Sequence, residues 1–468
     1  MRHWIPAAII SLMGCAAHAQ TNSPTTHIQV AIQPHGQTQS PVVTQSGWIN
    51  AAPVQSRLVV GSDGQTYVGI WIDTPQGQQV QAQRAPVDLA LVIDNSGSMS
   101  GEKIANARMA ASSLLESLAE GDIVSVYTFS NDVTEIAPPT VVSNASRGQL
   151  IQRVSAIQPM GGTNMFDGLR VGEARLAEAP GTHAVRRLVL ISDGMANIGP
   201  SSPEELGNLA ANGTESGAQV SAIGVGLEYD ERTLGALAMR SSGRLYHLEQ
   251  PSQMAAILRQ ELNLLDQTVA TDAYIEVEPA AGVELLGVEA ASSQNVNGHL
   301  RVPLGALYGG QHREMLVRVR IPTTAAGERQ VANAQLVFRD TARAHATHTQ
   351  AVPLNVALVS DTRAANASRD ARVSTMVASY EAAQAQIRAA QQLSQGQNVE
   401  AERTLAAAET QLQQVAAAAP AAQRERIMRQ TESVRRGRAT AVNAAPASSA
   451  GRAGALRINA DAYDAMGL

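Results

Sequence analysis

The chain has 468 residues, 44% hydrophobic and only 3% aromatic, with a formal net charge of −6 and a single cysteine. That length exceeds what one hydrophobic core usually supports, so about two to four domains are expected. The mildly acidic balance argues against a dedicated nucleic-acid binder, and one cysteine excludes a disulfide framework or a Cys-zinc site.

Residues 1–19 read as an export signal. Arg2 supplies the positive start, residues 4–13 the apolar stretch, and Ala17-His18-Ala19 a small-residue cleavage site before Gln20. Leu12-Met13-Gly14-Cys15 offers a second reading, a lipoprotein box whose acylated Cys15 would tether the chain to a membrane surface. Both readings make the protein exported: periplasmic, secreted or an envelope lipoprotein. No later apolar run approaches the roughly 18 residues that a spanning helix needs.

Residues 20–50 are rich in Gln, Thr, Ser and Pro and read as a disordered linker. Residues 51–86 hold two strand candidates, 55–60 and 66–72, around the turn Gly61-Ser62-Asp63-Gly64. Across 87–266 the pattern alternates. Apolar strands are expected over 87–93, 123–129, 187–191, 219–225 and 244–248. Helices are expected over 102–118, 147–157, 165–177, 203–215, 231–240 and 252–265. In the first of them Ile104, Ala107, Ala111, Leu114, Leu115 and Leu118 form one apolar stripe. This alternation predicts a doubly wound, mostly parallel sheet with helices on both faces.

Residues 267–360 lose the helical period and read as an antiparallel β-sandwich. The strands of 51–86 have no partners of their own, so the economical arrangement is that they complete the sandwich, with the α/β domain inserted. From 361 to 440 the chain turns helical. Val373, Met376, Val377, Tyr380, Ala383 and Ile387 mark one stripe, and Leu405, Ala408, Leu412 and Val415 another. Gly396 separates these two helices, which resemble a hairpin of tetratricopeptide type. Pro420 precedes a third, basic helix reaching about Arg438. Residues 441–468 read as linker (441–456) and a tail whose last dozen residues could dock.

The chemistry concentrates at one strand end. Residues 87–93 are apolar save for Asp88, and the run ends abruptly in Asp94-Asn95-Ser96-Gly97-Ser98. A carboxylate and two hydroxyls, spaced two apart where open α/β sheets hold their ligands, can converge on a hard cation such as Mg²⁺. Asp94, Ser96 or Ser98 could instead cap the helix that follows. Two further pieces share the same predicted edge of the sheet: Gly161-Gly162-Thr163-Asn164 before a helix, and Asp193 at the end of a second buried strand.

With these pieces in register, residues 87–266 resemble a von Willebrand factor type A (VWA) domain. The metal-ion-dependent adhesion site of that family has the pattern Asp-x-Ser-x-Ser, a distant Thr and a distant Asp. Here those positions are Asp94, Ser96, Ser98, Thr163 and Asp193. The surrounding Met99, the Gly-Gly-Thr-Asn loop and Ser192-Asp193-Gly194 resemble the bacterial and inter-α-trypsin-inhibitor heavy-chain branch more than integrins. Residues 304–316 (LGALYGGQHREML) resemble the β-rich region that often follows in bacterial members. The resemblance implies a Mg²⁺ site, with Mn²⁺ or Ca²⁺ as alternatives, in which the two carboxylates act mostly through bound water. It further implies a protein partner whose Asp or Glu carboxylate fills the open position on the ion.

Other candidates are weaker. His345 and His348 lack a third ligand for zinc. Asp122 suits a turn, and Asp167 suits the first turn of its helix. Arg424, Arg426, Arg429, Arg435, Arg436 and Arg438 form either a solvated face or a contact for an anionic surface. Three functions compete: a metal-dependent adhesion or scaffold protein, a structural subunit of an envelope or pilus-like assembly, and, remotely, a metal-dependent enzyme. No nucleophile–His pairing or phosphate loop supports the last, and the chain is read as a non-enzyme.

Overall fold

The computed structural model describes residues 47–467, apart from 77–84, 228, 249, 290, 342–345 and 446–447. The export signal with Cys15, most of the 20–50 linker and His345 therefore lie outside the described residues. Three strands come first: β1 (Ile49–Pro53), β2 (Arg57–Val59) and β3 (Gln65–Asp73). In β3 the buried Val68, Ile70 and Ile72 alternate with the half-buried Tyr67 and Trp71, the period of a strand with two different faces.

The α/β body follows as β4 (Val87–Asp94), α1 (Glu102–Ser117), β5 (Ile123–Phe129), β6 (Val133–Val141), α2 (Asn144–Ser155) and α3 (Met165–Ala177). It continues with β7 (Val185–Ser192), α4 (Pro203–Gly213), β8 (Ala218–Val225), α5 (Glu231–Arg240), β9 (Arg244–Leu248) and α6 (Met254–Asp266). The sheet order is β6-β5-β4-β7-β8-β9, parallel throughout except for β6. Leu89, Leu91 and Ile93 of β4 pack with Ile104 of α1 and Leu258 of α6. Ala90 and Val92 face the other way, toward Leu169 of α3, Leu206 of α4 and Leu234 of α5. Covered on both faces, β4 has no exposed residue, which is why it reads as an apolar run interrupted only by the buried Asp88. The antiparallel β6 escapes the sequence reading for the opposite reason: an edge strand with Pro138, Pro139 and half its residues exposed has no apolar run to detect.

Beyond α6 come β10 (Thr268–Pro279), β11 (Glu284–Glu289), β12 (Gln294–Val296), β13 (His299–Tyr308), β14 (His312–Arg320), β15 (Gly327–Asp340) and β16 (Ala346–Val359). They form two sheets, β1-β3-β14-β11 and β12-β13-β10-β15-β16-β2. The sheets share one core that includes Val68, Ile70, Ile275, Val302 and Leu336, so strands from both sides of the α/β body build this sandwich together. Its pairs are antiparallel except β2 with β16.

The sandwich meets the parallel sheet at the amino ends of its strands. Gln219, second in β8, donates to the Leu304 and Ser242 carbonyls at 2.8 Å each and accepts from the Ala306 amide at 3.2 Å. Only glycine fits at 305: its φ is +68°, and a Cβ there would lie 2.4 Å from the Gln219 side chain. Beside it, the fully buried Arg187 of β7 bonds the Tyr308 hydroxyl and lies 3.2 Å from Glu261, which also accepts from Ser221 and Tyr246 at 2.6 Å each.

The rest of the chain is helical: α7 (Thr362–Asn366), α8 (Ala371–Ser394), α9 (Asn398–Ala416), α10 (Ala421–Asn443) and α11 (Ser449–Ala465). Ala389, Leu405, Leu412, Val434 and Ile458 join α8–α11 in one core. The linker expected over 441–456 is thus largely helix. Ser448 caps α11, its alanines favour helix, and Leu456, Asn459 and Tyr463 recur at helical spacing on the buried side. Through Leu456 and Tyr463, α11 reaches back to the α/β body: Leu456 enters the core beside Leu234, and Tyr463 packs on Gly235. The basic face of α10 is not a free cationic surface. Arg426 pairs with Glu314, Arg435 and Arg438 with Glu409, and Arg436 with Asp461.

Candidate metal centre

β4 and β7 are neighbours, but the chain leaves them in opposite directions across the sheet, which opens a crevice at their carboxyl ends. Asp94 ends β4 fully buried. Its Oδ1 accepts from the Ser96 amide at 2.8 Å, and its Oδ2 accepts from the Ser192 hydroxyl at 2.6 Å. Burial raises the Asp94 carboxyl above its ordinary range; the hydrogen bonds from Ser192 and Ser96 oppose this, and the nearby Asp193 adds to it. Both oxygens are therefore already held by protein donors.

Asp193, one residue past β7, is 1% exposed. Its Oδ1 accepts from Ser98 Oγ at 2.8 Å, and its Oδ2 pairs with the ammonium of Lys103 in the first turn of α1. Ser96 Oγ and Ser98 Oγ lie 3.0 Å apart. Asp94, Ser96, Ser98 and Asp193 thus form one continuous network. Thr163 stands at its margin: a Cβ built on Gly194 would sit 3.6 Å from Ser98 Oγ and 3.9 Å from Thr163 Oγ1.

The loops are tied to one another. The Met160 amide donates to the Asn95 carbonyl at 2.6 Å and the Gly97 amide to the Gly161 carbonyl at 3.1 Å. Asn131 Oδ1 accepts from the Gly162 amide at 2.6 Å, and Asn197 Oδ1 from the Thr163 amide at 2.9 Å. Gly161 takes φ +66°, and a Cβ there would meet Asn131 at 2.8 Å. Neither Lys103 nor Ser192 figures among the ligands expected from the sequence. Ser192, directly before Asp193, carries a signal in retrospect, a hydroxyl at a buried strand end; Lys103 carries none, since its reach depends on the direction of α1.

The donor set comprises three hydroxyls and two carboxylates, all hard oxygens, as Mg²⁺ prefers. Among the described residues no group of three or more His, Cys, Asp or Glu could hold a metal, so a soft-ligand or zinc-type centre has no support there. His348 instead stacks on Phe338, with centroids 5.6 Å apart. Asp122 serves its turn, accepting from the Val87 and Ala119 amides at 3.0 and 2.9 Å. Asp167 stays in the first turn of α3, bonded to Asn164 and Arg170.

A doubly wound domain with a hydroxyl-rich site at its switch point defines a class of ligand-binding module. Residues 88–260 match the model of the von Willebrand factor type A domain, so this part of the chain is a VWA domain. Its relatives include the uncharacterized protein sll0103 of Synechocystis sp., 27% identical over 56% of this chain and 63% of that protein. Human inter-alpha-trypsin inhibitor heavy chain H4 is 28% identical over 37% of this chain and 19% of its own length. The chain therefore spans less than two thirds of these relatives. Among solved structures, the von Willebrand factor type A protein from Catenulispora acidiphila covers 90% of this chain and 97% of its own, with TM-score 0.71 at 17% identity. The ArnB paralog VWA2 from Sulfolobus acidocaldarius covers 81% and 92%, with TM-score 0.55 at 17% identity. These two likenesses concern the fold.

Proposed function

We propose that the protein is an exported binding protein that grips a partner's Asp or Glu carboxylate through a divalent ion, Mg²⁺ first, held by Asp94, Ser96, Ser98, Thr163 and Asp193. The ion would supply an electrophilic position that an anionic oxygen can fill. The observation that carries this reading is the network that joins two buried carboxylates, Asp94 and Asp193, through Ser96, Ser98 and Ser192, with Thr163 at its margin, at the carboxyl edge of the sheet. The sandwich covers the opposite, amino edge of the sheet. The helices touch the body at α5 and β9. Ser98, Gly161 and Met195 remain exposed around the site.

Binding suits the site better than catalysis. Each carboxylate already has partners, Asp94 with Ser96 and Ser192, Asp193 with Ser98 and Lys103, which leaves neither free as a general base. The same self-sufficiency weighs against an ion that mainly holds an envelope or pilus-like subunit together. Export rests on residues 1–19 alone; among the described residues no helix is long and apolar enough to cross a membrane.

Capture of envelope proteins by the purified chain in Mg²⁺ and in EDTA tests this. Capture should need the ion and vanish in Asp94→Ala while the far-UV circular dichroism persists. Equal capture in EDTA refutes the reading, and a melting temperature that collapses in EDTA favours a structural ion.

A further inference from the structure

The three loops that build the site run 95–101, 158–164 and 193–199. They contain no Lys or Arg, and Asp193 is their one charged residue. Beside the exposed Ser98, Ser100, Gln158 and Asn197 they present two large apolar side chains to solvent, Met160 at 57% and Met195 at 63%. Ile198, half-buried, lies beside them, its Cδ1 2.8 Å from where a Gly162 Cβ would be. Met160 is pinned through its amide to Asn95 of the first loop. Met195 follows Gly194, the residue that faces Ser98 and Thr163. Single exposed apolar residues are ordinary on protein surfaces, and Met109 and Met428 are such cases here. Two flanking one polar site, on backbones tied down by hydrogen bonds, are a different arrangement. The cations nearby are already engaged, Lys103 with Asp193 and, in the next stretch along the edge, Arg232 3.8 Å from Asp230, so a second carboxylate beside the first finds no free partner there.

From this we infer that Met160, Met195 and Ile198 form an apolar collar that selects an isolated Asp or Glu flanked by aliphatic side chains, and disfavours runs of acidic residues. The inference rests on the carboxylate-bridging function proposed for the site. Thioether side chains suit such a collar because they are long, unbranched and polarisable, and they mould to aliphatic neighbours of differing shape. The ion would take the carboxylate, and the collar would read what stands beside it.

The test uses the full chain and three immobilised peptides in a Gly-Ser frame, with centres Leu-Glu-Leu, Ser-Glu-Ser and Glu-Glu-Glu, each in Mg²⁺ and in EDTA. Mn²⁺ affinity is measured separately by electron paramagnetic resonance. In Mg²⁺ the Leu-flanked peptide should bind at least about fivefold more tightly than the Ser-flanked one, the scale of partly burying two apolar side chains. The acidic run should bind no better than the Ser-flanked peptide. Met160→Gln with Met195→Gln should abolish the preference and leave Mn²⁺ affinity unchanged. Mn²⁺ binding with Leu- and Ser-flanked peptides retained alike, with the acidic run bound best, with no peptide retained, or with the preference surviving in the double variant, overturns the collar alone. Absence of Mn²⁺ binding overturns the metal reading beneath it, and the collar with it.

Discussion

The ammonium of Lys103 sits on Asp193 Oδ2, so the proposed metal centre carries a cation of its own. Lys103 is 28% exposed and Asp193 fully buried, which places the pair at the mouth of the crevice. With Lys103 the two carboxylates sum to −1; without it they sum to −2. Lys103→Met should therefore raise Mn²⁺ affinity by about tenfold, since a divalent ion no longer competes with an internal charge. It should also destabilise the protein in EDTA by about 1–2 kcal/mol, because Asp193 loses its charge partner. Calorimetric titration and thermal melts check both halves. Unchanged affinity would show that the ion leaves this pair intact.

At the other end of the sheet, Arg187 and Glu261 form an ion pair, each 1% exposed, that helps to join the α/β body to the sandwich through Tyr308. Breaking such a pair from one side strands a buried charge. Glu261→Ala should cost about 3–5 kcal/mol, whereas the double change Arg187→Met with Glu261→Met should recover much of that loss. Chemical denaturation of the three proteins gives the comparison. A double variant no better than the single one would assign the cost to packing, not charge.

The parts legible in the sequence are those governed by local pattern. β4 and β5 announce themselves because burial on both faces removes every polar alternation. Gly396 marks the break after α8 because its φ of +77° suits no other residue as well. Asp94 and Asp193 stand out as carboxylates at the ends of apolar runs. The illegible parts depend on distant contacts. Lys103 looks like any first-turn lysine until α1 is laid over β7. β6 has edge-strand composition, and α11 has the Ala, Ser and Gly content of a linker until Leu456 and Tyr463 find α5. The arginines of α10 read as a basic surface because Glu314, Glu409 and Asp461, which neutralise several of them, lie elsewhere in the chain.

Glu314 of β14 joins the sandwich to α10. It accepts from His312 Nε2 and Gln423 Nε2 at 2.9 Å each and pairs with Arg426. Burial alone would raise its carboxyl, but His312 and Arg426 outweigh that and hold it at about 2, below the ordinary 4.5. A depressed carboxyl stabilises the fold above 4.5 and loses that contribution as pH falls toward 2. Glu314→Gln should thus cost about 3 kcal/mol at pH 7 and little near pH 2. Urea melts at the two pH values decide it, and a pH-independent loss would mean that shape, not charge, holds this joint.

Glu173 on α3 presents the reverse case. It is 6% exposed, it lies against Gly213 of α4, and its Oε1 has no hydrogen-bond partner among the described residues. Burial pushes its carboxyl from 4.5 up to about 8, so the folded protein keeps the proton that the unfolded chain releases. Below pH 4.5 both states are protonated and Glu173 costs nothing. As pH rises from 4.5 to 8 the unfolded state alone gains its charge, and stability falls, by about 3 kcal/mol at pH 7. Above 8 the folded state ionises too and the loss levels off. Glu173→Gln, which keeps the shape without the proton equilibrium, should therefore match the wild type at pH 4 and exceed it by about 3 kcal/mol at pH 7. Melting temperatures of the two proteins across pH 4–9 should diverge over that window. Parallel curves would place a compensating donor or water on Glu173.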